Sequence, residues 1–209
     1  MAKITYEDKQ NLSTNESILR INKVIDDDMN EIKQVVNAND DTLNAALQPL
    51  EKITLNMSAT QEFGSGLNWY YVDQLDTIKR QTGTAFTIET VTPSGSGTPM
   101  SGVKIPAGIS KANVSGMLYM QNNNNSSAMY LLGCIYKVSS DGTTATSITA
   151  SLVADIPAGD YASFAMVPQE IDVEEGDVIG FRIYKEVSAG LANVLSNIDR
   201  TFLTVEEVR

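Results

Sequence analysis

The feature that most constrains this chain is a seam of mainly apolar residues near its N-terminus. From Ile25 onward these residues follow one another at alternating spacings of four and three, which is the heptad spacing of a coiled coil. β-branched Ile at d positions disfavours a parallel two-stranded coil, so we predict three strands and therefore a homotrimer. The predicted trimer seam consists of Ile25, Met29, Ile32, Val36, Asn39, Leu43, Ala46, Leu50, Ile53 and Met57.

Two residues of this region depart from an ideal seam. Asn39 is its one strongly polar member, and a buried amide there fixes the register at some cost in stability. The seam resembles trimeric coiled coils in which such an Asn holds an anion on the axis; the alternative is an amide that hydrogen-bonds a neighbouring chain or water. Pro49 removes an amide donor, which predicts a kink or a helix break. A single helix lying against its own sandwich is the competing interpretation, but several heptads in register favour the coiled coil.

After Phe63-Gly64-Ser65-Gly66 the hydrophobic pattern changes to strand period. Residues 147–155, for example, alternate between apolar and polar side chains, as a half-buried strand does. Runs of this kind are separated by turn sequences rich in Gly, Asn, Asp and Pro, which predicts an antiparallel β-sandwich and a mainly β fold with an N-terminal α segment. The predicted strands are Thr84–Val91, Ala112–Gln121, Ala128–Val138, Ser147–Asp155, Tyr161–Val167, Val178–Val187 and Arg200–Val208.

These patterns divide the chain into four segments: an arm over residues 1–20, a coiled-coil stalk over 21–62, a neck or linker over 63–83 and a sandwich head over 84–209. Trp69, Tyr70 and Tyr71 are either a platform on which a sugar stacks or a neck that packs the helix end against the sandwich, and their position favours the neck. The predicted strand Ala128–Val138 is apolar on both faces, so we expect a helix or a neighbouring subunit to cover its second face.

The ionisable residues argue against most enzyme classes. The chain contains no histidine, which removes the commonest general base and metal ligand. No phosphate-binding Gly-rich loop, Cys/His cluster or nucleophile elbow is present, and Cys134 lies in an apolar run typical of a small buried core residue. We therefore predict a protein that is not an enzyme, with no catalytic residues, no metal and no cofactor.

Charge and hydropathy also limit the partners. The net charge of −11 repels nucleic-acid phosphates and anionic lipids, so we predict neither nucleic acid nor membrane as a partner. The first residues, Met1 to Lys9, carry acids where a secretory signal would be basic and then apolar, so synthesis in a cytoplasm is expected.

Two groups of polar residues remain as candidate sites. The run Asn122, Asn123, Asn124 and Asn125 has side chains suited to sugar hydroxyls, although such runs are most often loop tips. A glycan-cleaving enzyme would need two facing carboxylates, and it is the least favoured hypothesis because no two of the candidates can be paired from sequence. Those candidates are Asp155, Asp160, Glu170 and Asp172.

Two segments carry a resemblance to known families. Residues 20–33, which contain Ile21-Asn22-Lys23-Val24 and Met29-Asn30-Glu31-Ile32-Lys33, followed by Val36-Asn37-Ala38-Asn39, resemble the opening of virion fibre and baseplate proteins of tailed phages that infect Gram-positive bacteria. The segment from Val173 to Ile183 resembles the late strands of trimeric jelly-roll heads of the tumour-necrosis-factor-like type, in which phage fibres often end.

The resemblance implies a homotrimeric tail, baseplate or head fibre on the virion surface, made in the bacterial host. Residues 1–20 would dock to other virion proteins, and a jelly-roll-like head would project outward. We expect the head to contact host cell-wall carbohydrate, with many weak sites on one particle acting together. A structural decoration or joint protein of the virion without receptor binding is the alternative.

Overall fold

The computed structural model of the chain describes residues 31–41, 43, 49–64, 68–124, 126–149, 152–185, 190–197 and 199–209. Residues 31–41 form an α-helix, and Leu43 is helical as well. Pro49 is not helical, in agreement with the predicted break. The chain divides into two units, Met1–Pro49 and Leu50–Arg209.

The second unit is a β-sandwich. Long strands such as β7 alternate strictly between buried and partly exposed residues, which is why the sequence folds here as strands with one face toward a core. Its strands are β1 (Lys52–Met57), β2 (Gln61–Phe63), β3 (Asn68–Tyr71), β4 (Leu75–Thr82), β5 (Thr87–Val91), β6 (Met100–Lys104), β7 (Lys111–Asn122), β8 (Met129–Val138), β9 (Ala145–Ser147), β10 (Leu152–Ile156), β11 (Tyr161–Asp172), β12 (Val178–Lys185), β13 (Ala192–Val194) and β14 (Phe202–Glu207).

The strands form two antiparallel sheets in a jelly-roll order. Sheet A runs β2-β13-β7-β14-β1-β4, with β11 also paired to β7, and sheet B runs β10-β8-β12-β6-β5, with β3 paired to β12 and β9 to β8. Eight of these strands form two sets of four neighbours, β1-β14-β7-β11 in sheet A and β6-β12-β8-β10 in sheet B. This connection of two Greek keys defines a jelly roll. The predicted jelly-roll-like sandwich is confirmed.

The core lies between the two sheets. Ile53 and Leu55 of β1, Leu118 of β7 and Phe181 of β12 are fully buried in one apolar cluster that draws on both sheets. A smaller cluster, formed by Tyr71, Met100, Val138 and Val178, covers part of the opposite face of sheet B. The sandwich therefore has a main core and a satellite core of its own.

The predicted turn sequences separate the strands as expected. Glu174 to Asp177, between β11 and β12, is a turn in which Gly176 has a φ of 85°, and only glycine adopts this conformation without strain. The amide of Asp177 donates to the carbonyl oxygen of Glu174 across this turn, at 3.1 Å.

The predicted seam is wrong at its C-terminal end, because its last three residues are not helical. Ile53 and Met57 lie in β1 with exposed fractions of 0% and 6%, and Leu50 precedes that strand outside the helix. A spacing of four residues fits one face of a helix and also one face of a strand. Leu55, fully buried midway between Ile53 and Met57, fits only the strand.

The predicted domain limits are corrected for the same reason. The sandwich begins at β1 rather than at residue 84, and the proposed neck over 63–83 contains β3 and β4. The polar sequence of β4, in which only Leu75 is buried, concealed a strand of sheet A.

One further strand prediction needs correction. Residues 147–155 are not one strand, because β9 ends at Ser147 and β10 begins at Leu152. Between them the Thr149 hydroxyl accepts a hydrogen bond from the amide of Ile135 on β8, at 3.0 Å, in place of a backbone partner. The second face of β8 is covered only in part within one chain: Cys134 and Val138 are 1% and 0% exposed, whereas Tyr130 is 36% exposed and Leu132 and Tyr136 are half-buried. Cys134 is buried, as predicted.

Candidate functional site

The predicted aromatic run lies in β3, which pairs with β12 of sheet B. Because successive strand residues point to opposite faces, Tyr70 turns toward the core, where its ring centroid lies 5.2 Å from that of Phe63. Trp69 and Tyr71 lie on the outer face of the sheet. These residues therefore belong to a strand of the sandwich and not to a neck.

Arg182 of β12 is the centre of a cluster on this outer face. Its guanidinium carbon lies 4.4 Å from the ring centroid of Trp69, 4.8 Å from that of Tyr136 and 5.1 Å from that of Tyr71. Its Nη1 atom donates a hydrogen bond of 2.7 Å to the Tyr136 hydroxyl oxygen. Cation–π contacts of this kind hold a guanidinium in place by electrostatic attraction to the ring faces.

Aromatic rings also contact one another around Arg182. The ring of Trp69 lies 5.1 Å from that of Tyr184 at a tilt of 47°, and Tyr71 meets Tyr136 edge-on at 5.9 Å. Such offset and edge-on arrangements are the favoured ones for aromatic pairs. We call this group, formed by Trp69, Tyr71, Tyr136, Arg182 and Tyr184, the aromatic cluster.

The aromatic cluster has a buried floor and an open upper side. Tyr71 is 4% exposed and Cys134 is 1% exposed. Trp69, Tyr136, Arg182 and Tyr184 are half-buried, so each presents part of its side chain to solvent. The arrangement is buried at its base and accessible at its top.

The buried floor of the cluster contains a phenol with a shifted pKa and a guanidinium nitrogen that is unpaired among the described residues. Burial raises the pKa of Tyr71, an effect that the Arg182 charge opposes and the neighbouring Tyr136 and Cys134 reinforce. The Nε atom of Arg182 is buried and has no hydrogen-bond partner among the described residues. A partly exposed guanidinium set among half-exposed rings is suited to a ligand that combines hydroxyl groups with a flat carbon face, whereas the buried Nε atom is out of a ligand's reach.

The run of asparagines is a different kind of structure from the predicted sugar contact. Asn122 is fully buried, and its side-chain amide donates to the carbonyl oxygens of Ser127, Ile156 and Pro157. Asn124 is 8% exposed and binds the hydroxyl of Ser127. The prediction is wrong for both residues because their amides hold this turn together. Asn123 is exposed, and Asn125 lies outside the described residues.

The upstream part of the seam is only partly described. Ile32, Val36 and Leu43 are helical and have exposed fractions of 54%, 39% and 48%, and Asn39 is exposed as well. Val35 beside them is 53% exposed. Ile25, Met29 and Ala46 lie outside the described residues.

The described residues contain no group of three or more His, Cys, Asp and Glu side chains close enough to share a metal ion. No helix in the described part of the chain is sufficiently long and apolar to cross a bilayer. Among the carboxylates considered for glycan cleavage, Glu170 forms an ion pair with Lys111 at 2.8 Å.

Comparison with known proteins adds information on the fold alone. No protein-family model matches the chain, and no curated protein sequence matches it. The crystal structure of murine APRIL at pH 5.0 superposes with a TM-score of 0.50 and 10% identity, over 77% of this chain and all of that one. A structure of Eiger TNF from S. frugiperda gives a TM-score of 0.48 and 10% identity, over 77% of this chain and 94% of that one. At this identity the likeness to murine APRIL concerns the jelly-roll-like sandwich only.

Proposed function

We propose that this chain is a non-enzymatic fibre protein of a tailed-phage virion, that it forms homotrimers, and that its sandwich contacts carbohydrate of the host cell wall. In this proposal the protein is made in the bacterial cytoplasm and residues 1–20 attach it to other virion proteins. The opening sequence supports the assignment to phages, because residues 20–39 resemble fibre and baseplate proteins. The jelly-roll order of the sandwich agrees with a fibre head.

The described helix supports the homotrimer. Ile32 and Val36 are separated by four residues and Leu43 follows after seven more, so all three keep the heptad phase. Their exposed fractions, between 39% and 54%, leave a stripe of apolar surface on one isolated helix. Short helices gain most of their stability by packing such a stripe against another element. Two further copies of the same helix provide that packing in our proposal.

The half-exposed aromatic cluster around Arg182 is the observation that carries the carbohydrate contact. Trp69 and Tyr184 supply ring faces on which the carbon side of a sugar can stack, and the partly exposed guanidinium of Arg182 supplies N–H donors for its hydroxyl groups. A single contact of this kind is weak. Three copies in a trimer, and many trimers on a particle, raise the avidity without further contacts.

Binding of the full-length protein to insoluble peptidoglycan, purified from a Gram-positive bacterium, tests this proposal. We expect the wild type to sediment with the peptidoglycan and Trp69→Ala to bind about tenfold less tightly, because one stacking face is lost. Tyr161→Ala is the matched control, since Tyr161 is an exposed aromatic residue on sheet A, and it should bind as the wild type does.

Equal binding by the wild type and Trp69→Ala would contradict the assignment of the site. A wild-type trimer that does not bind at all would favour the alternative, a joint or decoration protein of the virion.

A further inference from the structure

A second site lies on the outer face of sheet A, on the other sheet from the aromatic cluster. It is an open groove of about 520 Å³ between β4, β1, β14 and β7. Three basic residues line it, and Phe202 forms an apolar part of its wall. The basic residues are Lys52, Lys79 and Arg80.

The charge of the groove is unusual for this chain. Acidic residues outnumber basic ones by 26 to 15 in the sequence, yet no Asp or Glu lines the groove. Lys52 and Lys79 are each neutralised from outside the lining, by Glu206 at 2.8 Å and by Asp199 at 3.2 Å. Arg80 has no carboxylate within ion-pair distance among the described residues. Its guanidinium is therefore an uncompensated positive charge.

Hydroxyl groups extend from Arg80 in one row across the sheet. Arg80 stands opposite Thr54 in the pairing of β4 with β1, Thr54 stands opposite Thr204 of β14, and Thr204 stands opposite Ser115 of β7. The hydroxyl oxygens of Thr54 and Thr204 are 3.0 Å apart. Because neighbouring strands are about 4.8 Å apart, the row is about 14 Å long.

Part of this row has free hydrogen-bonding capacity. The Ser115 hydroxyl has no hydrogen-bond partner among the described residues, and neither does the Arg80 guanidinium. An arginine presents paired N–H donors in a fork that matches phosphate and carboxylate oxygens. Hydroxyl groups donate to and accept from the hydroxyl groups of a ligand.

We propose that this groove binds an anionic group, a phosphate or a carboxylate, carried by a polyol or sugar. Arg80 holds the anion, the row formed by Thr54, Thr204 and Ser115 bonds the ligand's hydroxyl groups, and the Phe202 ring contacts its carbon chain. This site is independent of the carbohydrate contact on sheet B. The net charge of −11 repels long polyanions, so we expect the groove to select short ligands that carry one anionic group.

Isothermal titration calorimetry of the full-length protein tests the proposal with four probes: inorganic phosphate, glycerol 3-phosphate, glucuronate and neutral glycerol. We expect glycerol 3-phosphate, glucuronate or both to bind, the preferred one identifying the anion, and glycerol not to bind. The affinity should fall at least about tenfold in Arg80→Ala, because a charge-assisted fork is lost. Lys104→Ala is the matched control, since it removes an equal charge from an exposed ion pair with Glu89 on sheet B.

The hydroxyl row has its own test in Ser115→Ala, which should lower the affinity for the polyol or sugar anion that binds, glycerol 3-phosphate or glucuronate, but not for inorganic phosphate. Equal affinity of the wild type for that anion and for inorganic phosphate would overturn the role of the row. The whole proposal fails if no anionic probe binds, or if Arg80→Ala and Lys104→Ala bind the probes alike. Arg80 is exposed, so its variant should fold, and its thermal unfolding verifies this.

Discussion

Asn122 shows how a polar side chain stabilises this fold from the inside. Its amide nitrogen reaches three backbone carbonyl oxygens at 2.8 to 3.1 Å, and its carboxamide oxygen accepts from the amide of Asn124 at 3.0 Å. These bonds join the end of β7 to the end of β10. A residue in this position specifies the turn because a buried polar group must be satisfied.

Asn122→Ala should therefore destabilise the sandwich by about 2–4 kcal/mol, since several buried backbone groups lose their partner. Asn123→Ala, at the exposed neighbouring position, should change the free energy of unfolding by less than about 0.5 kcal/mol. Urea unfolding of both variants measures the difference. Equal stability of the two would show that the bonds of Asn122 contribute little.

Lys185 is a second buried polar residue, and it carries a charge. It is fully buried at the end of β12, where its Nζ atom donates to the carbonyl oxygens of Gly64 at 2.5 Å and Gly190 at 2.6 Å. Burial lowers the pKa of Lys185 from its ordinary value of 10.5. The folded state therefore binds this proton more weakly than the unfolded state does.

The stability contributed by Lys185 should consequently rise with pH. The desolvation penalty is fully present below the lowered pKa and disappears as the pH rises through that pKa toward 10.5. Lys185→Met cannot titrate, and it should be about 2 kcal/mol less stable at neutral pH because both carbonyl oxygens lose their donor. The gap between wild type and variant should widen in urea unfolding as the pH rises toward 10.5.

Lys104→Met, which breaks an exposed ion pair, serves as the control and should stay within about 0.5 kcal/mol of the wild type. A gap for Lys185→Met that narrows as the pH rises would contradict the direction of the pKa change.

Among the elements, β1 decides where the sandwich begins. It lies between β14 and β4 in sheet A, and its inward side chains Ile53, Leu55 and Met57 belong to the main core. Phe63 at the end of β2 is also buried, at 3% exposure. A fragment that starts at Gly64 lacks all four side chains and leaves β14 and β4 without the strand between them.

We expect the fragment 64–209 not to fold, whereas the fragment 50–209 should unfold cooperatively with a β-type spectrum. Burial of four large apolar side chains is worth about 6–12 kcal/mol, which is comparable to the whole stability of a domain. Circular dichroism during heating measures both fragments. A cooperative transition of 64–209 at the temperature found for 50–209 would contradict the placement of β1.

The sequence predicts elements well where the pattern has one meaning. The long strands β7, β8, β11, β12 and β14 have strong alternation or apolar runs bounded by turn residues, and they were predicted within a few residues except at the end of β11. β3 and β13 are too short to show a period, and the edge strand β4 is almost entirely polar. Ile53 and Met57 fit two periods, and they are resolved by the burial of Leu55 between them and by the pairing of β1 with β14 and β4.

The candidate site was less accessible to sequence analysis. The sequence favours a neck over a stacking platform for Trp69 and Tyr71, and nothing in it associates Tyr136, Arg182 and Tyr184 with them. These residues lie on three strands, β3, β8 and β12, and meet only through the order of sheet B. The polar run predicts a surface contact at Asn122, and this prediction is wrong. The sequence does not show the buried carbonyl oxygens to which its side-chain amide donates.

At the scale of the whole molecule, two surfaces compete for the role of trimer interface. One is the helical stripe that contains Ile32, Val36 and Leu43. The other is the outer face of sheet A, where Val167 is 78% exposed and Tyr161 is 47% exposed while stacking on Tyr119 at 5.5 Å. Our proposal assigns trimerisation to the helix, so the fragment 50–209 should be monomeric. A trimeric fragment would transfer that role to sheet A.

The homotrimer is the central claim, and the absolute mass of the full-length protein in solution tests it most directly. Multi-angle light scattering should give a mass near three times 22.7 kDa, because the apolar stripes of three helices pack against one another. A mass near 22.7 kDa would contradict the fibre model and favour the competing interpretation, in which a single helix lies against its own sandwich.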